Sequence, residues 1–234
     1  MTFCPEAVIF DMDGLLVDSE PVWMIADREL LTARGLHVDE SIHHSLTGMR
    51  MNDFWTHAAR RYGIQEDPAV LIDEVVSRMH ELIPIHVTPR PGAPELLAFL
   101  RERGVPCAVA SSSPNAIIND VLASQRWDDY FTIRCSGDEV ETGKPAPDIY
   151  LEAARRLGAD PTRCLALEDS PNGARAAVAA GMICYAVPDL SHTTHAAFRG
   201  ITPHVYEDLH LIRSGLEQCR FGGAHDCRCD RSDR

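Results

Sequence analysis

The stretch that most constrains this chain is Ala7 to Phe10, four apolar residues in a row cut off by Asp11-Met12-Asp13-Gly14. An unbroken apolar run of this length reads as a parallel strand buried on both faces. In an open α/β sheet, ligands bind in the crevice outside the carboxyl ends of the strands, so such a strand delivers Asp11 and Asp13 to that crevice. Gly14 then lets the backbone turn away with no side chain in its path. Two carboxylates this close repel by about 4 kcal/mol at a separation of about 4 Å and an effective dielectric of about 20. A proton or a bound cation offsets that repulsion, and a hard, oxygen-seeking ion such as Mg²⁺ suits a carboxylate pair. Asp is also a common turn former, so the pair alone leaves open a simple strand ending.

With 234 residues, 45% of them apolar, the chain can bury a substantial core. The formal charge of −13 and pI near 5.2 argue against a nucleic-acid or anionic-membrane partner. An anionic substrate therefore needs local positive groups. Met1 to Glu6 lacks a signal-peptide pattern and no long apolar span occurs, which leads to the expectation of a cytoplasmic protein. A monomer is expected too, although nothing in the sequence fixes the oligomeric state. Cys4, Cys107, Cys135, Cys164 and Cys184 lie in or beside apolar runs and read as reduced core residues. Cys219, His225, Cys227 and Cys229 cluster in a stretch, 218–234, that matches no zinc spacing and is expected to be a disordered tail.

After the first acids, helical spacing dominates. Glu20 to Ala33 carries apolar residues at Val22, Ile25, Ala26, Leu30 and Leu31, with Ser19 as expected N-cap and Gly35 as stop. Helical patterns continue over Asp39–Leu46, Asn52–Tyr62 and Pro68–Ile83, with no strand signal until after Pro89. The block 19–89 therefore reads as a small helical domain inserted into a larger one, with hinges near Asp18 and Pro89. Beyond it, strands at Pro106–Ala110, Phe131–Cys135, Cys164–Leu167 and Met182–Val187 alternate with helices near 93–103, 114–124, 148–157 and 171–180. Alternation of this kind gives right-handed crossovers and a doubly wound, Rossmann-like parallel sheet made of 1–18 and 90–217.

Three more features sit at expected strand ends. Ser111-Ser112-Ser113-Pro114-Asn115 combines hydroxyls with a helix start, Ser113 being the expected N-cap, and a helix start is a ready anion site. Lys144 lies between Gly143 and Pro145, which leaves room for close approach and an extended backbone. Glu168-Asp169-Ser170-Pro171 closes another apolar run with two acids. Successive side chains on a strand point to opposite sides, so these two acids cannot serve one ion equivalently.

The run Asp11-Met-Asp13-Gly14-Leu-Leu-Val-Asp18-Ser19, together with Ser111, Gly143-Lys144-Pro145-Ala-Pro147-Asp148 and Glu168-Asp169, resembles the motifs of the haloacid dehalogenase superfamily in its phosphatase branch, with a helical cap. The resemblance spans Val8 to about Val187. It implies Asp11 as nucleophile forming an aspartyl-phosphate, and Asp13 as acid and then base. It also implies Ser111 and Lys144 as phosphate and charge contacts. By the same resemblance Mg²⁺ is held by Asp11, the backbone carbonyl of Asp13 and Asp169, with Glu168 acting indirectly.

The helical insert should set specificity. Leu15 to Trp23 and Thr47-Gly48-Met49-Arg50 resemble bacterial 2-deoxyglucose-6-phosphate phosphatases, which implies a small sugar or polyol phosphate as substrate. Glu20, Trp23, Arg50, Ser112 and Asn115 are the candidate substrate-binding residues. Trp23 could stack on a sugar or cement the insert, and Arg50 could equally be a surface residue. The related β-phosphoglucomutases carry histidine in place of Trp23, which weighs against a mutase. A non-catalytic phosphoacceptor is the other alternative, and the intact Asp13 argues against it.

Overall fold

The computed structural model describes residues 3–39, 42, 49–191, 193–219 and 221. The initial apolar run forms strand β1 (Ala7–Phe10), with all four residues buried. Further strands are β2 (Val17–Asp18), β3 (Thr88–Pro89), β4 (Cys107–Ser111), β5 (Ile133–Ser136), β6 (Cys164–Glu168) and β7 (Ile183–Ala186). Five of them form one parallel sheet in the order β5-β4-β1-β6-β7. In β1, Ala7 and Ile9 face one apolar cluster while Val8 and Phe10 face the other. A parallel strand covered by helices on both sides needs this two-faced apolar character, which is why the run shows no alternation.

The cover differs between the two faces. Helices α6 (Asp148–Leu157) and α7 (Pro171–Ala179) lie over Ile9, Ala108, Ala110 and Ala166, where small side chains permit close approach. The other face packs against α4 (Ala93–Glu102), α5 (Asn115–Ser124) and α8 (Leu209–Leu216). Between β2 and β3 the chain makes α1 (Glu20–Ala33), α2 (Met51–Tyr62) and α3 (Pro68–His86). Helix α1 packs along α3, and α3 packs on α5, so the inserted helices share an apolar cluster with the sheet. The expected helix over Asp39–Leu46 falls mostly outside the described residues.

Two expectations need correction. Between the first acids and Pro89 the sequence shows no strand signal, yet β2 and β3 pair antiparallel, Val17 with Pro89 and Asp18 with Thr88. Two-residue strands are too short to show any period. Cys219, read as part of a loose tail, is buried with its thiol donating to the Phe3 carbonyl at 3.3 Å. The ring of Phe221 packs edge-on to Phe99. His225, Cys227 and Cys229 lie outside the described residues. Among the described residues, no helix is long and apolar enough to cross a membrane.

Candidate active site

The ends of β1, β4 and β6 converge on one crevice. The Asp11 N–H donates to Leu167 O at 3.0 Å, so the first residue beyond β1 is still held by β6. Met12 points into the core and is fully buried, which sends Asp11 and Asp13 to the other side. Gly14 closes the turn at φ +80, its N–H donating to Val17 O at 2.9 Å. A Cβ there would stand 2.4 Å from Asp169 Oδ2, so this position excludes a side chain by conformation and by space.

Lys144 is the cation of the site. Its Nζ lies 2.6 Å from Asp11 Oδ1 and 2.6 Å from Glu168 Oε1, with only 4% of the side chain exposed. Glu168 is fully buried and held on both oxygens. Oε1 also accepts from the Tyr150 hydroxyl at 2.7 Å, and Oε2 accepts from Ser170 N at 3.3 Å and Ser170 Oγ at 3.1 Å. The ammonium also sits 5.1 Å from the centre of the Tyr150 ring. Tyr150 carries no recognisable signal in the sequence, because only the fold brings this first-turn residue of α6 under β6.

Asp13 is bound differently. Its Oδ1 accepts from Ser19 Oγ at 2.6 Å and Trp23 Nε1 at 3.2 Å, and its Oδ2 from Ser111 Oγ at 3.1 Å and Ser113 Oγ at 2.8 Å. Both serines expected as helix caps are thus corrected in role. Ser19 occupies the cap position of α1 but makes no side-chain cap bond there, and α5 is capped by Pro114 rather than Ser113. The pull of a nearby carboxylate outweighs a backbone N–H that other groups can satisfy.

The remaining candidates are engaged as follows. Asn115 donates to Glu139 at the start of α5. Ser112 is half-buried beside Gly137, whose absent Cβ would lie 3.0 Å from the Ser112 carbonyl. Arg50 pairs with Asp53 at 2.8 Å and reaches the carbonyls of Val140 at 3.2 Å and Glu141 at 3.1 Å. Its side chain lies between Gly137 and Gly143, where any Cβ would crowd it. Glu20 is close enough to Asp169 to help raise its pKa.

Electrostatics single out the acids. Burial raises Asp11 from its ordinary 3.8 to about 8; Lys144 opposes the rise while Glu168 and Asp13 add to it. Burial also pushes Asp169 well above the carboxylate range, with Asp11 and Glu168 adding to the effect. Lys144 ends above the usual ammonium range: burial works to lower it, but Asp11 and Glu168 more than offset that. One lysine is therefore too little positive charge for the acids gathered here. Asp11, Glu168 and Asp169 each place an oxygen within 4.8 Å of the others, a hard all-oxygen set that fits a divalent cation.

The buried acids and bridging lysine at the strand ends of this doubly wound sheet make an α/β protein with an acidic, cation-ready site at the usual ligand crevice. A sequence profile of the haloacid dehalogenase-like hydrolases matches residues 5–181, and the chain belongs to that family, in its phosphatase branch. It is 36% identical to hexitol phosphatase B of Escherichia coli K12 over 188 residues, 78% of this chain and 83% of that protein. With the fructose-1-phosphate phosphatase YqaB of the same organism it shares 34% identity over 178 residues, 75% of this chain and 92% of the relative. Among solved structures, CbbY of Rhodobacter sphaeroides in complex with phosphate superimposes with a TM-score of 0.81 at 28% identity, covering 91% of this chain and 99% of that one.

Proposed function

We propose that this chain is a Mg²⁺-dependent phosphatase of small sugar or polyol phosphates, acting through an aspartyl-phosphate. The single observation that carries the reading is the Lys144 bridge between Asp11 and Glu168 beside Asp169, with Asp13 one turn away among hydroxyls. The relatives' activities on hexitol phosphates and fructose 1-phosphate support the substrate class.

Asp11 attacks phosphorus in line, its free oxygen aligned because Lys144 holds the other. The same ammonium stabilises charge on the transferring phosphoryl group. Ser111, with the Ser112 and Ser113 segment at the start of α5, grips the phosphate oxygens. Asp13 protonates the departing sugar oxygen and then takes a proton from the hydrolytic water. Asp11, Asp169 and the Asp13 carbonyl would hold Mg²⁺, with Glu168 steadying Lys144 rather than ligating; the cation supplies charge neutralisation for two carboxylates and a phosphate. The helical segment 19–89 covers this crevice as a cap, and Glu20, Trp23 and Arg50 on it select the substrate.

Phosphate release from a panel of hexose, hexitol and other polyol phosphates, with Mg²⁺ and then EDTA, tests the reading. Metal-dependent release by the wild type and none by Asp11→Asn is expected. Conversion of a hexose 1-phosphate into the 6-phosphate without release would establish a mutase instead. A long-lived phosphoenzyme without turnover would establish a phosphoacceptor.

A further inference from the structure

Asp189 lies beyond β7, which runs beside the strand that delivers Glu168 and Asp169. Only 4% of it is exposed. Its Oδ1 accepts from Ser191 N at 3.0 Å and Ser191 Oγ at 2.6 Å, and the Arg90 guanidinium stands 3.9 Å from the same oxygen. Among the described residues its Oδ2 has no hydrogen-bond partner. Burying a carboxylate oxygen without a donor is costly and uncommon, so such an oxygen calls for a ligand.

The surroundings show which ligand. The point where a Gly14 Cβ would stand is 2.4 Å from Asp169 Oδ2 and 3.7 Å from Asp189 Oδ2. The unpartnered oxygen and the Asp169 oxygen thus converge over one bare Cα. Asp189 is outside the set of carboxylates whose oxygens meet closely enough to share an ion directly, which comprises Asp11, Glu168 and Asp169 among the described residues. Mg²⁺ keeps several of its waters when bound by protein, and those waters need acceptors. We infer that Asp189 is a positioning residue of the cation site, its Oδ2 accepting a hydrogen bond from a water carried by the cation. Gly14 keeps the path between them clear. This inference rests on the Mg²⁺ reading given above.

The test is calorimetric titration of Mg²⁺ into the full chain without substrate, so that binding is read apart from turnover. Asp189→Asn retains an oxygen for Ser191 and replaces the free one by an amide nitrogen that cannot accept. It is expected to weaken Mg²⁺ by about 10- to 100-fold, as loss of an outer acceptor does in other metal sites. Ser191→Ala loses the loop bonds but keeps the carboxylate, and is expected to bind as the wild type does. Asp18→Asn removes the same charge from the other side of Arg90 and is also expected to leave affinity unchanged. Should Asp189→Asn fail to melt cooperatively, Asp189→Glu moves the same carboxylate by one methylene and is expected to weaken binding too. Unchanged affinity in Asp189→Asn, or equal weakening in Asp18→Asn, overturns the inference while the Mg²⁺ reading stands. No Mg²⁺ binding by the wild type overturns both.

Discussion

Glu168 accepts from Lys144, Tyr150 and Ser170, and its carboxylate lies where Gly173 of α7 has no side chain. A Cβ on residue 173 would fall 1.8 Å from Glu168 Oε1, so Gly173→Ala must push the carboxylate aside and Lys144 with it. Displacement by about 1 Å in such machinery costs on the order of 10²-fold in rate, and kcat for phosphate release from a sugar phosphate should fall by that much. Tyr150→Phe keeps the ring against Lys144 and removes one donor to a charged acceptor. Urea unfolding should show a loss of about 2 kcal/mol, with most of the turnover retained. That the acids, Lys144 and Ser111 gather at strand ends was legible in the sequence, the acids from the apolar runs they close and Lys144 and Ser111 through the motifs that resemble the family. The destinations of Ser19, Ser113 and Tyr150 were not, because their partners come from segments far along the chain and only packing brings them together.

At the scale of elements, the five sheet strands were legible within two residues, since their apolar runs are bounded by turns and acids. The strands β2 and β3 were not, because they exist through pairing with one another rather than through their own pattern. Helix α2 shows how an inserted element is tied down. Its cap residue Arg50 crosses to the 137–143 segment, fits between two glycines and bonds two carbonyls there. Arg50→Ala should free that segment, which leads directly to Lys144. Hydrogen exchange at Val140 to Gly143 should quicken by about 10-fold, the equivalent of one charge-assisted bond. Undiminished protection would show that the segment is held by its own turn alone.

For the whole molecule, a small share of the negative charge is placed where it is least welcome: Asp11, Glu168 and Asp169 share one cleft with Lys144. Asp11, raised from 3.8 to about 8, binds a proton in the folded chain over a range where the unfolded chain has released it. Its contribution to stability is therefore fully present at low pH and is lost as pH rises from about 4 to about 8. Without metal, the melting temperature should fall between pH 5 and pH 8 from this group. Added Mg²⁺ should raise it more at pH 8 than at pH 5, because at pH 5 it must displace the proton. Scanning fluorimetry with EDTA and with Mg²⁺ at both values checks the sign. Geometry adds a last consequence. Because Asp18 and Thr88 are partners across the separate β2–β3 ladder, the helical excursion leaves and returns through one two-stranded neck, like a hairpin turn grown to the size of a small bundle. Lengthening or rewriting that excursion does not alter the spacing of the strands that carry Asp11, Lys144 and Asp169.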